Sequence, residues 1–278
     1  MPERDDEPAE NISGGVSGGG RHATFVASDD PDTRAEAVVD ALGDLYWRKA
    51  YGGQDGFECL VRTVLSQNTS DKASQPAHDE LLARYGPGGP EWTGDLAASL
   101  AAAAEDELAE TISGAGLYNL KSERIVALAG RVVDEYGGAA GFDRFVRTED
   151  PATVRETLLG MDGVGPKTAD CVLLFAGGRD GVFPVDTHVH RIARRMGLAP
   201  PDADHEAVRA ALEAAVPPET CGFGHTATIQ FGREYCTARR PACLDGPEAC
   251  PLYDLCDRVG IDELAGEAVD PAATLADD

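Results

Sequence analysis

Apolar residues recur along the middle of the chain at spacings of three and four, the period of a helix with one buried face. Phe57, Leu60, Val61, Val64 and Leu65 form one such stripe. Ile125, Leu128, Val132 and Tyr136 form a second, and Val172, Leu173 and Ala176 continue the pattern. No segment alternates with period two for long, and the run from Val182 to Val185 is interrupted by Pro184. Gly-Gly pairs at 52–53, 137–138 and 177–178 mark connections. The pattern predicts an all-α protein of about ten helices without internal repeats. The 278 residues are ample for a packed core, as one large domain or two small ones.

The ends of the chain carry no such pattern. Up to Asp32 there are eight acids against two arginines, with GGVSGGG between them. Residues 1–30 are therefore expected to be disordered, as are the acidic residues 263–278. The N-terminus lacks the basic start and apolar stretch of a secretory signal, and no apolar run approaches the ~18 residues of a membrane span. A cytoplasmic, nucleoid-associated location is the expectation.

Charge complicates the choice of partner. Forty-nine acids against 24 basic residues give a net charge of −25, whereas a nucleic-acid-binding protein is ordinarily basic. Only four of the basic residues are lysines, Lys49, Lys72, Lys121 and Lys167. Acid-rich, lysine-poor surfaces resemble those of proteins that work in molar salt. There the Debye length shrinks to about 3 Å, and net charge says little about partners. The arginines are also uneven. Residues 186–197 hold three against one acid, as do residues 233–243, leaving room for a local DNA track on an acidic body.

Residues 156–176 carry the first chemical signal, ETLLGMDGVGPKTADCVLLFA. Gly163-Val164-Gly165 makes a tight turn, and Pro166 fits the first position of the next helix, where its missing N–H costs nothing. A glycine-flanked turn opening a helix presents backbone N–H groups beside a positive helix end. It can hold a phosphate without a basic side chain. Lys167 falls in the first turn of that helix, on the unfavourable side of the dipole. If it also faces a cleft, dipole and desolvation both lower its pKa. A neutral lysine amine can attack a sugar carbon and form a Schiff base. Nineteen residues on, PVDTHVHRIARRMG places Asp186 as the N-cap of a helix ending in Arg194, Arg195 and Gly197. A capping carboxylate can also stabilise positive charge on a sugar or assist the lysine as a base.

Seven cysteines in a chain read as intracellular argue against a disulfide scaffold. Four are clustered as Cys236-x6-Cys243-x6-Cys250-x5-Cys256. Thiolates in this number suit zinc or an iron–sulfur cluster. Structural zinc sites usually use short CxxC pairs, and none occurs here. The wide spacing and the proline after Cys250 favour a [4Fe–4S] cluster. Cys59 and Cys171 fall on apolar helices and read as core thiols.

Taken together, these residues resemble the endonuclease III family of helix-hairpin-helix DNA glycosylases. The resemblance runs from about Phe57 to Cys256 through FECLVRTVLSQNTSDKAS, GLYNLKSERI, MDGVGPKTAD, VDTHVHRIARR, FGREYCTARRPAC and CPLYDLC, in the family's order. It implies Lys167 as the Schiff-base nucleophile with Asp186 as its carboxylate partner. It implies a base flipped into a pocket between two helical lobes, and a wedge near Gln67 or Asn68, with the choice between them open. DNA contacts are expected at Gln67, Asn68, Lys121, Gly163, Gly165, Arg191 and Arg233. A six-helix barrel would span 53–181, and residues 31–52 with 182–262 would form a lobe holding a [4Fe–4S] cluster on the four cysteines. One departure stands out. Relatives usually have two residues between the second and third cysteines, and this chain has six, LDGPEA. Asp245-Gly246-Pro247 reads as an added turn, which is cheap.

The implied activity is a glycosylase with abasic-site lyase activity on oxidised pyrimidines, working as a monomer on double-stranded DNA. A thymine-, uracil- or adenine-removing mismatch glycosylase is the alternative. Adenine-removing relatives usually lack the lysine and place a glutamate where Arg62 is nearest here. A non-catalytic iron–sulfur DNA-binding protein is a third reading, and the presence of both Lys167 and Asp186 weighs against it.

Overall fold

The computed structural model describes residues 27–46 except 29, and residues 51–276. Nearly all of the expected N-terminal tail, and Lys49, lie outside the described residues. Twelve α-helices are present among them, joined by 3-10 turns and one two-stranded antiparallel hairpin. The chain divides into two compact units. One is Tyr51–Arg179, and the other comprises the described residues of 21–50 and 180–278.

The first unit is built around α2 (Gly56–Ser66). Asp55 caps it, accepting the N–H groups of Phe57 and Glu58. The predicted stripe Phe57, Leu60, Val61, Val64 and Leu65 is wholly buried. Each such side chain contributes roughly 1.5–3 kcal/mol on burial. This helix packs against α3 (Asp71–Tyr85), α7 (Ala139–Thr148) and α9 (Pro166–Phe175). The second stripe lies on the 19-residue α6 (Tyr118–Tyr136), which ends at Gly137 in the left-handed conformation typical of a helix stop. That helix packs against α4 (Leu96–Ala101) and α5 (Glu105–Thr111), while α8 (Pro151–Leu159) leads into α9. At the ends of the unit, Gly52 passes Gly178 so closely that a Cβ on Gly52 would sit 2.8 Å from the Gly178 Cα.

In the second unit, α1 (Arg34–Gly43) buries Ala35, Val38, Val39 and Leu42. It packs on α11 (His205–Ala215) and α12 (Cys221–Glu234). The interrupted run Val182–Val185 is buried and extended, and leads into α10 (Thr187–Arg195). Beyond α12 the chain winds through short 3-10 turns that carry the clustered cysteines.

The C-terminal segment departs from expectation. Residues 263–278 read as disordered from composition, yet up to Ala276 they form defined structure. β1 (Ile261–Asp262) pairs with β2 (Glu267–Ala268), and the Asp262 carboxylate closes the turn by accepting the N–H groups of Leu264 and Ala265. Pro271 is buried, and Asp270 is held by the guanidinium of the buried Arg194. Acidity alone suggested solvation, whereas Asp262 closes the turn that leads into this segment and Asp270 is spent on a buried arginine.

Candidate functional site

In the first unit the chemistry gathers around the turn between α8 and α9. Gly163 has φ +75°, a conformation that strains any L side chain, and a Cβ there would also press on Arg124. Gly165 is the N-cap of α9 and offers no side-chain acceptor. Pro166 is the first helical residue and Lys167, half-buried, the second. Glycine at the N-cap brings no side chain to the opening N–H groups of the helix, and a Cβ on Gly165 would meet nothing within 4 Å. An anion can approach this end of α9 along its dipole.

The two wedge candidates behave differently. The Gln67 side-chain amide donates to the Gly163 carbonyl at 2.9 Å and to Thr168 Oγ1 at 3.1 Å. It braces the hairpin from the end of α2. Asn68, next to it, is exposed with φ +52°. Sequence reasoning missed a third residue of this kind. Leu117 is 58% exposed with φ +50° and immediately precedes α6. Asn68 and Leu117 are two of only three non-glycine residues with positive φ among those described. A largely exposed, large apolar residue in a strained conformation invites a functional reading, and its Gly-Leu-Tyr-Asn context was the available signal.

Lys121 is not placed for DNA. It is 2% exposed, and its ammonium donates to the Leu65 carbonyl, Thr69 Oγ1 and the Ala115 carbonyl, each at 2.7 Å. Burial pulls its pKa down to about 8. The expectation of a DNA contact is corrected by this: all three donors face inward.

In the second unit Asp186 is the N-cap of α10, accepting the N–H groups of His188 at 2.8 Å and Val189 at 2.9 Å. Arg191, expected on DNA, is half-buried and donates to the Cys236 carbonyl at 2.8 Å and to the Thr187 carbonyl at 3.3 Å. Its guanidinium braces the cysteine loop. Arg233, in the last turn of α12, is exposed.

Cys236, Cys243, Cys250 and Cys256 line one cavity of about 350 Å³, counting its solvent-open mouth, together with the apolar Met196, Phe231 and Ile261. Hydrogen-bond donors already point at the sulfurs. Arg195 reaches Cys236 Sγ at 3.6 Å, and the Arg258 N–H reaches Cys256 Sγ at 3.3 Å. Burial pushes the Cys256 thiol up to about 12, so a thiolate there needs a cation to hold it. Four thiols spread around a common cavity fit a larger cluster. The six-residue spacer between Cys243 and Cys250 lies on two 3-10 turns, the first pinned by Arg240 to Asp245. Cys221 is a core thiol with no access to this cavity's lining.

Residues 61–218 match the profile of the HhH-GPD superfamily of base excision DNA repair proteins, and residues 236–256 that of the iron–sulfur binding domain of endonuclease III. The endonuclease III of Thermotoga maritima is 34% identical over 203 residues, covering 73% of this chain and 83% of that protein. That of Bacillus subtilis is 30% identical, covering 80% and 90%. A solved trapped endonuclease III–DNA covalent intermediate, in an estranged-adenine complex, superposes with a TM-score of 0.65 at 27% identity, covering 81% of this chain and 96% of that one. Fold and hairpin thus define a base-excision repair DNA glycosylase of the HhH-GPD class. Within it, the chain belongs to the endonuclease III family. The iron–sulfur cluster comes with that membership, and Cys236, Cys243, Cys250 and Cys256 would hold it.

Proposed function

We propose that this protein is a bifunctional glycosylase and abasic-site lyase that removes oxidised pyrimidines from double-stranded DNA. The observation that carries the reading is Lys167 in the first turn of α9, directly after the proline that opens the helix at a glycine N-cap, a turn able to take a phosphate. In the proposed reaction the Lys167 amine attacks the deoxyribose C1′ and the damaged base leaves with the glycosidic bond electrons. The carboxylate of Asp186 offsets positive charge developing on the sugar. Ring opening gives a Schiff base between Nζ and C1′. Loss of a C2′ proton then expels the 3′ phosphate by β-elimination, and water releases the lysine. A covalent intermediate trapped in an endonuclease III at 27% identity supports this chemistry. The cluster lies outside these steps: its cysteines and Arg195 shape the loop that follows α12.

Borohydride reduction in the presence of an abasic duplex tests the proposal. Wild-type protein is expected to form a covalent adduct, and Lys167→Ala none, with duplex binding retained. An adduct that survives the substitution would move the nucleophile elsewhere. A panel of lesion and mismatch duplexes tests the substrate class. Preference for a thymine or uracil mismatch over oxidised pyrimidines would overturn that part.

A further inference from the structure

Lys121 is a buried cation with no carboxylate among its three partners. The acceptors come from three separate places: the last turn of α2 (Leu65), the turn after it (Thr69), and the 3-10 turn Ser113–Ala115. The ammonium has three N–H groups and all three are used. The Thr69 hydroxyl itself donates to the Ala115 carbonyl, closing the same knot from the other side. Gly116 runs past it, with the Thr69 Oγ1 only 3.6 Å from where a Cβ would stand.

The two turns joined here are the ones that carry Asn68 and Leu117. Asn68 immediately precedes Thr69, and Leu117 stands two positions after Ala115. Each holds a left-handed backbone, a region that side-chain-bearing residues seldom occupy. A buried apolar side chain in place of Lys121 would be cheaper to desolvate. The ammonium supplies something an apolar chain cannot, three directional tethers that hold two sequence-distant turns in fixed register.

We propose that Lys121 is a positioning residue for DNA interrogation: it fixes Asn68 and Leu117 as one rigid device that enters the base stack when a nucleotide is extruded. This rests on the glycosylase reading. Extruding a base from a duplex costs unstacking and unpairing energy, which side chains filling the gap offset. Two probes that move independently would each have to be ordered at the moment of insertion, and part of that offset would be lost. An abasic site in an unpaired strand needs no such help.

The test compares borohydride trapping on an abasic duplex with trapping on the same abasic strand unpaired. For Lys121→Met, trapping on the duplex is expected to fall about tenfold or more, the scale of a lost charged hydrogen bond, while trapping on the single strand is unchanged. Circular dichroism and the visible absorbance of the cluster check the fold. Equal losses on both substrates, or no loss on either, overturn the proposal. If Lys121→Met does not fold, Thr69→Val carries the test. It removes one acceptor, leaves the charge, and should give a smaller loss confined to the duplex; the same equal outcomes overturn it. A second readout needs no chemistry. 2-Aminopurine opposite a tetrahydrofuran abasic analogue should brighten when wild-type protein binds and should stay dim with Lys121→Met. Brightening with both proteins overturns the proposal. Absence of trapping by the wild type with normal brightening would sink the lysine chemistry and leave the positioning role standing.

Discussion

Asp186 caps α10, and the proposed mechanism gives it a second, chemical purpose that one substitution can separate from the first. Structurally it accepts two backbone N–H groups at the start of α10, at 2.8 and 2.9 Å. Replacing such a cap by alanine costs about 1 kcal/mol, whereas asparagine caps nearly as well as aspartate. In a chain of this size about 1 kcal/mol corresponds to a melting shift of about 2–4 °C. Chemically, a carboxylate that offsets charge on the sugar is worth about a hundredfold to a thousandfold in rate, and asparagine supplies no charge. Asp186→Asn should therefore melt with the wild type but release base at least a hundredfold more slowly. Asp186→Ala should combine the slow rate with the small loss of stability. The assay is single-turnover base release on one lesion duplex, with thermal melting followed by circular dichroism. Base release by Asp186→Asn at the wild-type rate would refute the argument and leave Asp186 a helix cap.

Other expectations are as direct. The purified protein should be brown, with about four irons per chain, the composition of a [4Fe–4S] centre; a colourless protein with one zinc would contradict it. Cys243→Ser should lower the iron content and loosen the loop after α12, read as increased amide exchange between residues 236 and 258. Gly163→Ala should weaken duplex binding while sparing the fold, because the left-handed backbone there tolerates a side chain only with strain and the turn must shift; unchanged affinity would remove the hairpin from the DNA interface. With a net charge of −25, cleavage should speed up between about 0.1 M and molar KCl as the Debye length falls from about 10 to about 3 Å. A steady decline in a fully folded protein would show that the acid excess has another cause.

Some features were legible from sequence because they depend on neighbours in the chain. The cap at Asp186 involves residues two and three positions on, and the turn at Gly163–Gly165 depends on glycine and proline alone. The helical stripes needed only a period. What escaped depends on long-range packing. Lys121 is a surface residue by type, and only the approach of α2 and the 3-10 turn at Ser113–Ala115, 56 and 6 residues away at their bonded atoms, makes it internal. Arg191 reads as part of a basic track, yet its partner carbonyl on Cys236 lies 45 residues on. Gln67 and Asn68 are adjacent and chemically alike. Backbone conformation sends one amide into the hairpin and leaves the other at the surface. The C-terminal acids carry no periodicity, so the hairpin and the Asp270–Arg194 pair could not be read from composition.

The split of the second unit across the chain has a consequence for how the protein is made. Its first helix, α1, is synthesised early, but the surface it packs on, α12, ends at Glu234. At about 5–20 residues per second, translation needs roughly 10–40 s to cover that distance. Through most of that interval the apolar face of Ala35, Val38, Val39 and Leu42 awaits its partners α11 and α12, while residues 51–179 form a continuous stretch that can close on the ribosome as soon as α9 has emerged. The nascent chain thus carries an open hydrophobic helix ahead of a finished bundle. Chaperone contacts should concentrate on that helix, and slowing translation downstream of residue 179 should lengthen the exposure.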